Sequence, residues 1–135
     1  KEYKVKVQNC YSNKITDLKI NVEDSFSTTL LLTKNKKTTI CDVHLNFYER
    51  PKKRTIEILG EDGKISCNLN TGEIFIFKDK KIKKIQFKFD RNEIFKKQVK
   101  YFLDAIKKNK KIDKRYDVLN GIKSLSLALN LKKNK

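Results

Sequence analysis

The hydrophobic pattern of this chain changes its period once, close to Asp90. Before that residue, apolar and polar side chains alternate in short segments that end at turn residues, the pattern of strands with one buried face. After it, apolar residues recur every three or four positions, as in amphipathic helices. Because strands followed by helices are typical of α+β folds, the order of the two patterns indicates that class.

About six or seven strands are predicted between residues 3 and 89. The longest runs from Thr38 to Arg50, where apolar residues alternate with polar ones until Pro51 stops the pairing. Gly60-Glu61-Asp62-Gly63 and Asn70-Thr71-Gly72 supply tight turns between later strands. Short turns join antiparallel neighbours, so we expect an open-faced, mainly antiparallel sheet.

Two C-terminal helices are predicted, at about 91–108 and 116–131. Asp90 can cap the first helix through the N–H of Glu93, and Glu93 can reach back. The apolar side of the first helix comprises Phe95, Val99, Phe102, Leu103 and Ile106, and that of the second comprises Val118, Leu119, Ile122, Leu125 and Leu129. We expect both helices to pack on one face of the sheet, in a single domain covering residues 1–135.

Helices on one face leave the other face of the sheet open. Along the longest predicted strand this open face carries the polar and aromatic side chains Asp42, His44, Asn46, Tyr48 and Arg50. Such a face meets either water or another subunit, and the pattern alone leaves both alternatives open.

The formal charge of +17, from 33 basic and 16 acidic residues, suggests a polyanionic partner. However, 29 of the basic residues are Lys, and Arg is the residue suited to bidentate recognition of phosphate and guanine. Together with 12 Asn, this bias indicates an A+T-rich genome and argues against specific nucleic-acid recognition. A basic module that binds single-stranded nucleic acid stays an alternative.

The sequence contains no recognisable catalytic or cofactor motif. Cys10, Cys41 and Cys67 are isolated and accompany a single histidine, so neither a zinc site nor a disulfide framework is predicted. The four glycines form no phosphate-binding loop between a strand and a helix. No apolar run approaches the roughly 20 residues of a membrane span, and no signal peptide is recognised. We therefore predict a cytoplasmic protein that does not enter membranes.

Several segments, in order along the chain, resemble the C-terminal domain of Gfo/Idh/MocA oxidoreductases. The segments are Val22-Glu23-Asp24-Ser25, Asp42 to Pro51, Ile58 to Ile65, Asp90-Arg91-Asn92-Glu93, Tyr101 to Ile106 and Asp117 to Leu125. The resemblance covers the chain from about Lys4 to Leu131, and its specificity lies in the ordered set rather than in any one motif.

This resemblance implies a substrate-binding and oligomerisation domain. Members of the family use NAD or NADP to oxidise or reduce sugars, nucleotide sugars or cyclitols, and they place cofactor and catalytic residues in an N-terminal Rossmann domain. We therefore assign no catalytic, cofactor or metal residue to this chain and do not expect it to turn over substrate alone. Since the sequence lacks Met and starts at Lys1, we expect a segment of a longer protein.

The partners implied by the resemblance are the Rossmann domain of the same protein, a second copy bound through the open sheet face, and a sugar-type substrate. The residues that could line the subunit interface or the substrate cleft are His44, Asn46, Tyr48, Arg50 and Arg54. A stand-alone oligomerisation domain is the third alternative.

Overall fold

In the computed structural model, which describes residues 3–88, 90–111, 113 and 116–133, the chain forms seven strands and then two helices. The strands are β1 (Lys4–Asn13), β2 (Ser25–Lys34), β3 (Lys37–Asn46), β4 (Thr55–Gly60), β5 (Gly63–Asn68), β6 (Glu73–Lys78) and β7 (Lys81–Gln86), and the helices are α1 (Arg91–Lys107) and α2 (Val118–Lys133). All paired strands are antiparallel. The predicted α+β class, with seven strands before two helices, is confirmed.

The strands form two sheets, in the orders β1-β2-β3 and β4-β5-β6-β7. The sequence predicts one sheet, but the segment between Asn46 and Thr55 has no strand and contains Pro51, which lacks an N–H for a ladder. The chain divides accordingly into a first compact unit, Lys1–Glu49 with Asp113–Lys135, and a second, Arg50–Ile112. That both belong to one domain of 135 residues stays a prediction.

The longest predicted strand ends four residues earlier than expected, because β3 stops at Asn46 and not at Arg50. Beyond Asn46, the N–H of Phe47 donates to the carbonyl oxygen of Asp24 at 3.0 Å. The side-chain oxygen of Asn46 accepts the N–H of Glu49 at 2.8 Å. The backbone bends at Phe47, so Tyr48 lies beyond the end of the strand.

The start of α1 and the end of β7 lie closer to the positions predicted from the sequence. Asp90 caps α1, although its side chain accepts the N–H of Asn92 at 2.8 Å rather than that of Glu93. Glu93 instead pairs with Lys96 at 2.8 Å. The strands were predicted to extend to about residue 89, whereas β7 ends at Gln86 and Phe89 lies outside the described residues.

Helix α2 packs on one face of the β1-β2-β3 sheet, in the first unit. Leu131 is buried, and its carbonyl oxygen accepts a hydrogen bond from Cys10 Sγ at 3.3 Å. Nζ of Lys132 lies 3.5 Å from Oε2 of Glu23. The side of α2 that the sequence marks as apolar is not the packed side, since Val118, Leu119, Ile122, Leu125 and Leu129 are each more than half exposed.

Most isoleucines of the second sheet lie on one face, together with Lys83, whereas Ile82 lies on the other face. The pairing register places on one face Ile56, Ile58, Ile65, Cys67, Ile74, Ile76 and Ile85. The other face holds ion pairs between Glu57 and Lys64 at 2.7 Å and between Glu73 and Lys84 at 2.6 Å. Among the described residues of this unit, α1 makes no close backbone contact with the four strands.

Gly63, at the β4–β5 turn, is expected to tolerate no side chain. Its φ is 146°, and an added Cβ would overlap the carbonyl oxygen of Phe77. We expect Gly63→Ala to lower the free energy of unfolding by about 2–4 kcal/mol, measured by urea denaturation. Gly60→Ala in the same hairpin is the control, because its Cβ would meet only ordinary contacts. Equal losses for both variants would contradict this account of the turn.

Candidate functional site at the end of the first sheet

Polar side chains meet where β2 begins and β3 ends, since Ser25 and Asn46 face each other across the ladder. We call the set of Ser25, His44, Asn46, Tyr48 and Glu49 the polar corner. The amide nitrogen of Asn46 lies 3.2 Å from Nε2 of His44 and 3.5 Å from Oε2 of Glu49. The hydroxyl of Tyr48 lies 3.5 Å from that of Ser25. The corner therefore offers hydroxyl, amide, imidazole and carboxylate groups in one place.

The polar corner continues into the face of the first sheet that points away from α2. His44 pairs with Ser27, and Asp42 pairs with Thr29, whose hydroxyl donates to the Asp42 carboxylate at 2.7 Å. Tyr11 lies opposite Ser27 on β1. We call the face formed by Tyr11, Ser27, Thr29, Asp42 and His44 the open polar face. It is the face on which the sequence analysis placed Asp42 and His44.

The five residues chosen from the sequence divide between the two units. His44, Asn46 and Tyr48 lie together in the polar corner of the first unit. Arg50 and Arg54 belong to the second unit, and both are exposed. The carbonyl oxygen of Arg54 accepts the N–H of Leu69 at 2.8 Å, which fixes the backbone there beside β5.

Beside the corner, Asp24 is an almost fully buried carboxylate that the sequence analysis did not select. It accepts hydrogen bonds from the N–H of Ile15 at 2.8 Å and from the N–H of Thr16 at 2.9 Å. The Thr16 hydroxyl also donates to it. The side chain of Asp24 thus closes the loop that joins β1 to β2.

Burial raises the pKa of Asp24, but the hydrogen bonds from Ile15 and Thr16 and the charge of Lys14 outweigh it and hold this pKa below its usual value. The carboxylate is therefore ionised at neutral pH. Nothing in the sequence around Asp24 distinguishes such a buried anchor from an exposed turn residue, because its partners lie eight and nine residues earlier in the chain.

A groove of about 690 Å³ lies between α2 and the sheet of the first unit. Its walls are mainly apolar and include Phe26, Leu45 and Leu127. Ser25 and Asn46 of the polar corner also line it, so the corner lies at the border of this groove. Sequence reasoning missed the contribution of α2, namely Ser124, Leu127, Ala128, Leu131 and Lys132, because it assigned the opposite side of the helix as the apolar one.

Among the described residues, no three His, Cys, Asp or Glu side chains come together as metal ligands. In the same part of the chain, no helix combines the length and the apolar character needed to cross a membrane.

Comparisons of the chain with models of protein families, with curated proteins and with solved structures find no match. The resemblance to the C-terminal domain of Gfo/Idh/MocA oxidoreductases therefore stays a prediction that rests on the order of the segments in the sequence.

Proposed function

We propose that this chain is the substrate-binding and oligomerisation domain of a cytoplasmic NAD(P)-dependent oxidoreductase that acts on a sugar, a nucleotide sugar or a cyclitol. The observation that carries the proposal is the polar corner, which lies at the edge of an open polar face while α2 packs on the opposite face of the same sheet. The antiparallel α+β architecture and the order of the family-like segments support it further.

The chemistry of the polar corner suits a polyhydroxylated ligand. Sugar hydroxyls both donate and accept hydrogen bonds, and the corner supplies donors and acceptors of several kinds in Ser25, Asn46, Tyr48 and Glu49. Imidazole adds a group that can donate or accept according to its tautomer. The role of this chain in the reaction would be to hold and orient substrate hydroxyls, and not to transfer the hydride.

The described residues do not fit a dinucleotide. Pyrophosphate is bound where a glycine-rich turn leads from a strand into a helix. Gly60, Gly63 and Gly72 lie at the ends of paired strands or in turns between them, and Gly121 lies inside α2. We therefore derive no cofactor step from this chain and assign NAD or NADP to the Rossmann domain that the proposal requires.

The first test is the coding sequence 5′ of the Lys1 codon. We expect it to encode a strand, a GxGxxG turn and a helix, and the whole gene product to enhance NADH or NADPH fluorescence on binding. A coding sequence without that unit, or a gene product that binds neither nucleotide, would overturn the oxidoreductase proposal. Binding of one oligonucleotide sequence that persists at high salt would instead support the single-stranded nucleic-acid alternative.

Within the whole gene product, Tyr48→Phe is expected to raise KM for the sugar substrate by about 5–20-fold and to leave the affinity for NAD(P) unchanged, because one hydrogen bond to the substrate is removed. Tyr3→Phe is the matched control, since Tyr3 lies at the far end of β1 beside Lys34. Steady-state kinetics with the best sugar substrate measure the effect. The same KM for both variants and the wild type would place the substrate elsewhere.

A further inference from the structure

The exposed side of α2 carries a continuous apolar seam. Its members are Val118, Ile122, Leu125 and Leu129, spaced by four, three and four residues, with Leu119 beside them. This spacing is that of the core positions in a coiled coil, where each side chain fits between four side chains of a facing helix. The opposite side of α2 already packs on its own sheet, so the seam is held in a fixed orientation toward solvent.

We propose that this seam is an isologous interface at which α2 pairs antiparallel with α2 of a second copy of the chain. The exposed fractions are 73% for Val118, 53% for Ile122, 60% for Leu125, 51% for Leu129 and 62% for Leu119. Such fractions leave roughly 100 Å² on each side chain, hence about 1,000 Å² over two copies, which reaches the lower range of specific interfaces. The seam is therefore large enough for a reversible dimer.

The charges at the ends of α2 favour an antiparallel over a parallel pair of helices. The C-terminal turn of α2 is basic, with Lys132 and Lys133, whereas Asp117 caps its N-terminus through the N–H of Leu119 at 3.1 Å. A parallel pair would bring the Lys133 ammonium groups of the two copies together, since Lys132 already pairs with Glu23 of its own unit. An antiparallel pair separates them and places Lys133 near Asp117 of the second copy. In this register Val118 faces Leu129, and Ile122 faces Leu125, across the two-fold axis.

Helix α1 is the less suitable alternative. It also exposes apolar side chains, including Val99, Phe102 and Ile106. However, its lysines are distributed along its length, at Lys96, Lys97, Lys100 and Lys107, so two copies repel each other in either orientation. Both helices have an acidic residue at the start and lysine in the last turn, and α2 differs from α1 in having a single lysine, Lys123, between its ends.

The interface differs from the open polar face on which the proposed oligomerisation rests, because the two lie on opposite sides of the first unit. Sedimentation equilibrium of the full chain over a wide concentration range tests it. We expect a monomer–dimer equilibrium whose dissociation constant rises at least about 100-fold in Leu125→Glu, since the new charge would be buried in the seam. Asn130→Glu, which introduces the same charge outside the seam, is expected to leave dimerisation nearly unchanged.

A crosslinking experiment tests the orientation independently. A mixture of Val118→Cys and Leu129→Cys chains, in a background without the native cysteines, is expected to form the mixed disulfide, and Val118→Cys alone is not expected to crosslink to itself. A strictly monomeric wild type, equal behaviour of Leu125→Glu and Asn130→Glu, or a Val118–Val118 crosslink would each overturn the proposal. If His44→Glu abolishes the dimer and Leu125→Glu does not, the open polar face is the interface and the seam is not.

Discussion

Replacement of Leu131 by alanine is expected to lower the free energy of unfolding by about 2–4 kcal/mol, because the side chain is buried between α2 and the first sheet and its removal leaves a cavity. Leu129→Ala, on the same helix two residues earlier, is expected to cost less than about 1 kcal/mol in dilute, monomeric protein, because Leu129 is exposed. Urea denaturation followed by circular dichroism measures both values.

This pair of variants distinguishes the two possible orientations of α2. If the sequence pattern had identified the packed side, Leu129→Ala would be the more damaging substitution. A larger loss for Leu129→Ala than for Leu131→Ala would therefore contradict the observed orientation, and the α2 seam would then be part of the core.

Asp24→Ala is expected to lower Tm by about 5–10 °C, because it leaves two N–H groups and a hydroxyl without their acceptor in a partly buried position. Asp17→Ala is the control, since Asp17 lies exposed in the same loop. Differential scanning calorimetry at neutral pH measures the change. Similar Tm values for the two variants would show that Asp24 does not hold the loop.

The same carboxylate has a definite effect on acid stability. Its pKa in the folded chain lies below the ordinary value, so its contribution is complete near neutral pH and is lost as the pH falls below about 4. Glu57 and Glu73 act in the same direction, because hydrogen bonds from Lys64 and Lys84 respectively lower the pKa of each carboxyl. Asp24→Asn should therefore lose less stability than the wild type between pH 5 and pH 2, a range set by carboxyl titration.

Local features of this fold could be predicted from the sequence, and long-range ones could not. The turns at Gly60–Gly63 and Gly72 and the cap at Asp90 depend on neighbouring residues, and the structure contains all of them. The end of β3 depends on a bond from Phe47 to Asp24, more than 20 residues away. Strand periodicity also could not show that β3 and β4 belong to different sheets.

The side on which α2 packs was ambiguous for a related reason. The helix carries apolar residues on both sides, so periodicity identified Ile122 and Leu125 while the sheet contacts Leu127 and Leu131. In the candidate site, the alternation along β3 placed His44 on the open polar face, and Asn46 and Tyr48 joined the polar corner through the turn after the strand. The sequence analysis did not select Asp24, because the hydrogen bonds that it accepts from Ile15 and Thr16 form only when the β1–β2 loop is folded.

Gly63 also controls how accurately the second sheet sorts its side chains. Successive residues of a strand point to opposite faces, so a slip of one residue at the β4–β5 turn would exchange the two faces of β4. Ile56 and Ile58 would then lie on the face that holds the ion pair of Glu73 and Lys84, and Glu57 would lie on the face that holds most of the isoleucines. The face that each side chain of β4 occupies thus depends on a turn whose backbone conformation only glycine adopts readily.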